Sequence, residues 1–263
     1  MPEPQVRHQV NNGISTITLA NPDNRNALGT QLVAELMYAI DEAEANPETR
    51  VIVLTNDGPV FCAGADLSER SGTTRSASTQ AVDPGKMFGR FRNSPKPFVG
   101  RIAGHAVAGG LGLAAAMDIS VTIPEAKFGF TEVRIGVAPA MISVICLPKM
   151  RPAEGAAAIL RGNRFDAQEA VRLGLINQLV EPDDLDATVA AICADLLEGS
   201  PQALAASKQL LAQVPEMTFS GGMEWTAKLS KALFKGPDAT EGMDAYLSKR
   251  PPSWSPRAPL MTD

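Results

Sequence analysis

The stretch from Gly104 to Ala140 constrains the fold of this chain more than any other segment. It begins with small residues and the pair Gly109-Gly110, continues through an apolar run, and ends with a lone acid, Glu132. A glycine pair at the start of a helix lets free backbone N–H groups and the positive end of the helix dipole approach a ligand. Such donors suit a developing oxyanion, with Glu132 as the proton-transfer candidate. The alternative is a buried turn that needs glycine for packing, with a surface glutamate.

Length and composition describe an ordinary globular protein. The 263 residues are 44% hydrophobic and 20% charged, enough to bury a sizeable core in one large domain or a domain with an appendage. The net charge of −5 argues against nucleic acid or an anionic membrane as the main partner, although a local patch would still admit an anionic ligand. No apolar run approaches a membrane span, and the first residues lack the apolar part of a signal peptide. We therefore expect a cytoplasmic protein that binds neither nucleic acid nor membrane.

The three cysteines, Cys62, Cys146 and Cys193, are scattered and show no CxxC spacing. This pattern favours reduced thiols over a disulfide framework or a zinc site. The chain also lacks an HExxH motif, a phosphate-binding GxxxxGK[ST] loop and a complete nicotinamide-binding GxGxxG motif. The sequence thus indicates no metal and no nicotinamide cofactor.

Hydrophobic periodicity predicts an α/β chain. Gln5–Val10 and Ile14–Leu19 alternate around an Asn-Asn-Gly turn, which is typical of a β-hairpin. Thr30–Ala45 carries apolar residues on one helical face, and Val51–Thr55 has the continuous apolar run of a strand covered on both faces. Phe98–Ile102 is a further predicted strand, which leads into the glycine-rich stretch.

The second half of the chain is mainly helical in its sequence pattern. Short helices are predicted at 142–150, 152–161 and 166–173, a brief strand at 176–180, and four helices in series at 183–197, 201–213, 217–234 and 238–250. The order ββα, βα, βα and then a helix-rich tail predicts an α/β core with a helical C-terminal part. The Ser- and Thr-rich segment Gly72–Gln80 is expected to be a mobile surface segment, not a domain boundary.

Four segments together carry a family resemblance: NPDNRNAL at 21–28, FCAGADLSE at 61–69, GHAVAGGLGLAAAMDI at 104–119 and FGFTEVRIGVAP at 128–139. Each is weak alone, but their order and spacing resemble those of the crotonase family, the enoyl-CoA hydratases and isomerases. The segment TEGMDAYLSKRPPSW at 240–254 is similar to the last helix and basic end of that family. The resemblance covers nearly the whole chain.

The resemblance implies a crotonase-like spiral of repeated ββα units at residues 1–198 and a C-terminal helical trimerisation region at 199–263. It implies an acyl-CoA thioester as substrate, without a further cofactor, and a homotrimer or a dimer of trimers. The tail itself supports assembly, because it carries more apolar surface than a terminal appendage can bury alone. Its apolar residues are Leu204, Leu210, Leu211, Met217, Phe219, Met223, Trp225, Leu229 and Leu233.

By position in the family motifs, the backbone N–H groups that would hold the thioester carbonyl are those of Ala65 and Gly109. Two preorganised donors in a dry site stabilise an enolate-like transition state by about 3–4 kcal/mol each. Backbone donors leave no side-chain signature except small residues, and both segments contain them. The resemblance also implies that Ala63, Asp66 and Leu67 lie along the adenine and pantetheine parts of CoA.

Two basic residues are candidates for the CoA phosphates. Lys249 matches a basic position on the last helix of the family, and Arg25 lies in the NPDNRN loop. The alternatives are a solvated helix lysine for the first and an arginine that caps its own loop for the second.

Hydration in this family typically uses two glutamates that hold one water. Glu132 matches the downstream one, but Gly112 occupies the upstream position and cannot take a proton. Apolar neighbours at Phe128, Phe130 and Val133 would raise the pKa of Glu132 towards the range that suits proton transfer.

Three functions therefore stay open. We favour an enoyl-CoA hydratase in which Glu132 makes both proton transfers, or in which another side chain and water replace the missing acid. The segment EVRIGVAPA resembles branched-chain hydratases of the methylglutaconyl-CoA kind. The second function is a Δ3,Δ2-enoyl-CoA isomerase, for which one carboxylate suffices. The third is a non-catalytic protein that binds CoA thioesters.

Four further residues have both a catalytic and a structural interpretation, and we favour the structural one for each. Asp118 marks a helix-to-strand corner, and His105 lies beside the proposed oxyanion segment. Ser143 is expected to carry a solvent-facing helix hydroxyl. Cys62 flanks the proposed oxyanion segment, but no histidine partner can be assigned to it.

Overall fold

The computed structural model describes residues 3–72 and 83–256. Its strands are β1 (Val6–Asn11), β2 (Ile14–Leu19), β3 (Val51–Asn56), β4 (Val60–Cys62), β5 (Phe98–Ile102), β6 (His105–Val107), β7 (Ile119–Thr122), β8 (Lys127–Gly129), β9 (Phe165–Asp166) and β10 (Gln178–Leu179). Its helices are α1 (Thr30–Ala45), α2 (Leu67–Arg70), α3 (Pro84–Asn93), α4 (Gly109–Ala115), α5 (Ala140–Cys146), α6 (Pro152–Arg161), α7 (Ala167–Arg172), α8 (Leu185–Leu197), α9 (Pro201–Gln213), α10 (Phe219–Phe234) and α11 (Pro237–Leu247). Apart from Gly72, the predicted surface segment Gly72–Gln80 lies outside the described residues.

Each ββα repeat contributes one strand to each of two sheets. The first strands of the repeats, β3, β5 and β7, belong to a six-stranded sheet of order β1-β2-β3-β5-β7-β10. The strands that follow them, β4, β6 and β8, belong to a four-stranded sheet of order β4-β6-β8-β9. Strand neighbours are parallel except in the pairs β1–β2 and β8–β9. The chain therefore winds repeatedly between two sheets, which confirms the predicted α/β spiral of ββα units.

The local predictions for the first sixty residues are confirmed. The hairpin turn uses Asn12 at φ 49° and Gly13 at φ 81°, the left-handed conformations that Asn and Gly tolerate. Helix α1 has the predicted bounds. All six residues of β3 are buried, because Ile52 and Leu54 face the main core while Val51 and Val53 pack against α8.

Some boundaries in the second half were predicted wrongly. The helix predicted at 142–150 is α5 followed by a 3₁₀ helix, Leu147–Lys149, because Pro148 has no N–H to continue an α-helix. The strand predicted at 176–180 is limited to the two residues of β10. Helix α11 ends three residues before the predicted Arg250, and Lys249 beyond it adopts a left-handed conformation with φ 55°.

A partly buried ion pair connects the C-terminal helices to the spiral. The ammonium of Lys208 on α9 pairs with the carboxylate of Asp118 and donates to the carbonyl of Phe91 at 2.9 Å. The same Asp118 oxygen accepts from the N–H of Phe98 at 2.7 Å. The predicted boundary at 198/199 falls between α8 and α9. That the chain forms a separate domain on each side of this boundary stays a prediction.

Candidate active site

Two loops meet at one edge of the four-stranded sheet. Strands β4 and β6 are parallel neighbours, so the segments that follow Cys62 and Val107 leave the sheet at the same edge. Gly64 has φ 85°, and a Cβ at that position would lie 2.9 Å from the nitrogen of Gly109. Any L-residue at Gly64 would therefore be strained and would push the two loops apart.

The N–H groups of Ala65 and Gly109 are free in this arrangement. The residues before and after Ala65 form backbone hydrogen bonds with Leu28, and the N–H of Leu28 donates to the Gly64 carbonyl at 2.7 Å. Gly109 is the first residue of α4, where an N–H has no acceptor within the helix. Neither N–H has an acceptor among the described residues. A Cβ on Gly109 would lie 3.7 Å from the nitrogen of Ala65, so two free donors lie side by side.

Ala108 fixes the direction of the first N–H groups of α4, and its own backbone is strained. Its φ of 50° and ψ of −128° are rare for a residue with a Cβ, and such conformations cost about 1–3 kcal/mol. Its N–H donates to the Gly129 carbonyl at 2.9 Å, which holds the loop against β8. Its carbonyl accepts from the N–H groups of Leu111 and Gly112. The hydrogen bonds on both sides hold the strained residue in place.

Glu132 lines the same cavity as Ala65 and Gly109, a cleft of about 680 Å³. It is the first residue of a 3₁₀ helix, Glu132–Ile135, that follows β8. The side chain is half-buried, and its Oε2 atom is buried without a hydrogen-bond partner among the described residues. Burial raises the pKa of Glu132 above the ordinary value of 4.5, and a backbone hydrogen bond opposes this only in part. A carboxylate in this state is suited to accept and return a proton.

The space beside Gly112 is filled by Ile142. A Cβ on Gly112 would overlap the Cγ2 methyl of Ile142 on α5 and would lie 3.4 Å from the ring of Phe88 on α3. Gly112 and Ile142 are both buried. A second carboxylate at position 112 is thus excluded by packing as well as by sequence.

The three residues predicted along the CoA path all lie at the cavity. Ala63, Asp66 and Leu67 line it. Asp66 also has a structural role, because its Oδ1 atom accepts from the N–H and hydroxyl of Ser68 at 2.9 and 2.6 Å, at the start of α2. Its Oδ2 atom accepts from the Asn24 amide at 2.8 Å.

The two predicted phosphate ligands do not line the cavity in the single chain. Arg25 has a left-handed backbone with φ 52°, and its carbonyl accepts from the N–H of Ala63 at 3.1 Å. It therefore shapes the loop beneath the site through its backbone. Lys249 lies just beyond the end of α11 and is exposed. Phosphate binding by either side chain stays a prediction.

The four residues with a favoured structural interpretation do not line the cavity either. His105 accepts from the N–H of Lys127 at 3.1 Å through Nδ1, and burial together with nearby Arg164 and Lys127 lowers its pKa. The Ser143 hydroxyl donates to the Ala140 carbonyl at 2.7 Å, so it bonds its own helix.

The other two have structural roles. The Asp118 carboxylate pairs with Lys208 and accepts a hydrogen bond from the N–H of Phe98 at the start of β5, as described above. Burial raises the pKa of the Cys62 thiol to about 12, which leaves it protonated and unreactive at neutral pH. Neither residue is placed to exchange a proton with a ligand in the cavity.

Several cavity residues were missed by the sequence analysis. Apolar side chains of α3 and α5 line the same cavity as the two free N–H groups: Met87, Phe88, Met141 and Ile142. These residues come from helices about fifty residues apart, and nothing in the local sequence pattern indicates that they meet.

The described residues form neither a metal-binding cluster nor a membrane-spanning helix. Across residues 3–72 and 83–256, no three His, Cys, Asp or Glu side chains are grouped so that they could hold a metal ion. No helix in those ranges is long and apolar enough to cross a bilayer.

Comparison with known proteins identifies the family. The family model for enoyl-CoA hydratase/isomerase matches residues 9–257. The chain belongs to the enoyl-CoA hydratase/isomerase family. Its general chemistry is therefore that of the crotonase enzymes, which act on CoA thioesters.

Individual relatives agree with this assignment. A Thermus thermophilus protein whose name refers to enoyl-CoA hydratase is 34% identical over 93% of this chain and 98% of its own length. The 2,3-dehydroadipyl-CoA hydratase of Escherichia coli is 30% identical over 92% of this chain and 94% of its own. A solved enoyl-CoA hydratase/isomerase structure from Marinobacter aquaeolei superposes with a TM-score of 0.86 at 30% identity, covering 95% of this chain and 99% of that one.

The contact between Gly112 and Ile142 can be tested by a double-mutant cycle. Gly112→Ala gains helix propensity of about 1 kcal/mol but overpacks the core, which costs about 1–3 kcal/mol. Ile142→Ala leaves a cavity and costs about 2–5 kcal/mol. We expect the double variant to lose less than the sum, with a coupling of about 0.5–3 kcal/mol, measured by urea unfolding.

The matched control is Gly89→Ala in α3. A Cβ there meets only the Asn93 amide at 3.8 Å, so this variant should be as stable as the parent or more stable. Additive effects of Gly112→Ala and Ile142→Ala would show that Ile142 does not fill the space at Gly112.

Proposed function

We propose that the protein is an enoyl-CoA hydratase in which Glu132 makes both proton transfers. The observation that carries this proposal is the buried, unpartnered Oε2 atom of Glu132 in the cavity that also contains two free backbone N–H groups. The two donors suit the carbonyl oxygen of a thioester, and the carboxylate suits the carbons beside it. Hydratase names among the relatives support this choice.

The proposed reaction starts with the thioester oxygen accepting from the N–H groups of Ala65 and Gly109. Glu132 removes a proton from water as the water oxygen bonds to the β-carbon, and the electrons of the double bond move to the carbonyl oxygen. The resulting enolate is stabilised by the two donors, by about 3–4 kcal/mol for each. Glu132 then delivers its proton to the α-carbon. The product is a 3-hydroxyacyl-CoA, and the carboxylate is regenerated.

Double-bond isomerisation is the second candidate. It is favoured by the packing of Ile142 beside Gly112, which leaves one carboxylate where hydration in the family typically uses two. Glu132 would remove a proton from the α-carbon of a 3-enoyl-CoA and return it to the γ-carbon of the resulting dienolate, whose oxygen the same two N–H groups would stabilise. Both candidates use the same residues, and they differ in whether water is added and in which carbon receives the proton.

Glu132→Gln tests the role of the carboxylate. The amide has nearly the same shape but cannot accept the proton, so we expect the rate to fall by about 10²–10⁴-fold. The assay follows loss of absorbance of the conjugated thioester with crotonyl-CoA. Glu125→Gln, at an exposed glutamate that does not line the cavity, is the matched control and should keep the parent rate.

The pH profile provides a second readout of Glu132. The residue must be ionised to act as the base, and its pKa is raised by burial. The value of kcat/KM should therefore fall on the acid side at a pH above 4.5, the ordinary pKa of glutamate.

Different outcomes separate the candidates. A parent rate in Glu132→Gln would refute the assignment of Glu132. Rapid conversion of a 3-enoyl-CoA without hydration of crotonyl-CoA would establish the isomerase. Tight binding of CoA thioesters without turnover of either substrate would indicate a binding protein.

We also propose that the protein assembles as a homotrimer or a dimer of trimers. The single chain leaves large apolar side chains exposed on α10 and α11, including Phe219 at 87% and Tyr246 at 85%. Other large apolar side chains are exposed outside these two helices, at Ile135, Val144 and Leu160, and Ile135 also lines the cavity. Two sets of exposed apolar side chains from different elements suit a head-to-tail contact that closes into a ring.

Light scattering at micromolar concentration tests the assembly. We expect three or six times the 27.8 kDa mass of the chain. Phe219→Asp should lower the measured mass, because it places a charge in the proposed interface. Tyr38→Asp, at an exposed aromatic of α1 that belongs to neither set, should not. A monomeric mass for the parent chain would contradict the proposal.

A further inference from the structure

The charged side chains that line the active-site cavity are mostly acidic. Among the described residues they comprise three carboxylates, Asp66, Glu69 and Glu132, and one guanidinium, Arg70. The other lining residues carry no charge; Thr30 and Thr131 are polar, and most of the rest are apolar or glycine. A charged ligand group inside this cavity thus meets more negative than positive side chains among the described lining residues.

Two of these carboxylates are held in place by structural hydrogen bonds. Glu69 accepts from the N–H and hydroxyl of Thr30 at 2.9 and 2.8 Å, at the start of α1. Asp66 accepts from Asn24 and Ser68, as described above. Oxygens of both lie close to Gly29, at 3.0 and 3.4 Å from the point where its Cβ would be. They form a fixed acidic wall on one side of the cavity.

Arg70 is not placed to neutralise a negatively charged ligand group deep in the cavity. Arg70 is the last residue of α2 and its side chain is exposed. Another part of the wall consists of Met87 and Ile142, which are 2% and 3% exposed, together with the partly buried Phe88. These three side chains offer no hydrogen-bond donor to an anion.

We infer that the acyl group this enzyme accepts is uncharged, a neutral 2-enoyl chain and not the half-thioester of a dicarboxylic acid. This inference rests on the proposed function of the site and specifies its substrate class. A second carboxylate on the acyl chain would lose water, meet apolar side chains and lie in one cavity with ionised Glu132. Burial of an unpaired charge is strongly unfavourable, so a charged acyl end is rejected.

The inference is specific to this chain and does not follow from family membership. The Escherichia coli relative is by name a hydratase of 2,3-dehydroadipyl-CoA, whose acyl chain ends in a carboxylate. Methylglutaconyl-CoA, suggested by the resemblance of the EVRIGVAPA segment, also has a free carboxylate. The charges that line the cavity argue against both of these substrates for this chain.

A matched substrate pair gives the direct test. Hex-2-enoyl-CoA and 2,3-dehydroadipyl-CoA have the same six-carbon chain and double bond, and differ in a terminal methyl or carboxylate. We expect kcat/KM for hexenoyl-CoA to be higher by about 10²-fold or more, the effect of leaving a charged group without a partner. Equal values, or a preference for the dehydroadipyl substrate, would overturn the inference.

Binding of the saturated analogues separates this inference from the proposed function. Calorimetry with hexanoyl-CoA and adipyl-CoA needs no turnover. Tighter binding of hexanoyl-CoA without hydration of either enoyl substrate would support the neutral acyl pocket and refute the hydratase. Equal binding of the two analogues would refute the neutral pocket, whatever the activity. Failure of both analogues to bind would refute both proposals.

A charge introduced into the wall should change the preference. Met141 lines the cavity from the first turn of α5, and Met141→Lys should raise the relative rate with 2,3-dehydroadipyl-CoA by about tenfold or more. Tyr38→Lys adds the same charge on α1 outside the cavity and should leave the preference unchanged. If Arg70→Gln abolishes a measurable rate with the dehydroadipyl substrate, Arg70 pairs with the acyl carboxylate and the inference is wrong.

Discussion

The close approach of two loops at Gly64 and Gly109 is the constraint on which the rest of the site depends. The spiral brings β4 and β6 together as parallel neighbours, and the missing Cβ at Gly64 lets its loop contact the start of α4. That contact places the free N–H groups of Ala65 and Gly109 side by side. Because backbone groups in a rigid loop need no reorganisation, they can stabilise an enolate at little entropic cost. This arrangement requires a strained backbone conformation at Ala108.

The second constraint is that the cavity contains one unpartnered acid in an apolar wall. Glu132 has an oxygen without a partner, and Ile142 fills the space where a second carboxylate could otherwise project from α4. Apolar surroundings raise the pKa of Glu132 and also exclude other charges. The same wall therefore accounts for both proposals: one residue transfers both protons, and the acyl group beside it is neutral.

Local sequence signals predicted the α/β character and the small-residue loops well, whereas the spiral of ββα units followed only from the family resemblance. The Asn12-Gly13 turn, helix α1 and the doubly buried β3 follow from periodicity and turn chemistry. The second sheet was not recognisable, since its strands have two or three residues and show no periodicity. Likewise, the sequence showed that Gly112 occupies the position of the family's second glutamate, but it could not show that Gly112 contacts Ile142. The two residues are thirty positions apart, and their contact depends on how α5 packs on α4.

Exchange of α-protons in a saturated acyl-CoA tests the central claim most directly, because it needs only enolate formation and neither water addition nor isomerisation. Hexanoyl-CoA is incubated with the enzyme in D₂O, and loss of the α-proton signal is followed by NMR. The account predicts that the parent enzyme catalyses the exchange and that Glu132→Gln slows it by about 10²-fold or more. Exchange at the parent rate in Glu132→Gln, or none with the parent enzyme, would contradict the pairing of a single carboxylate with two backbone donors.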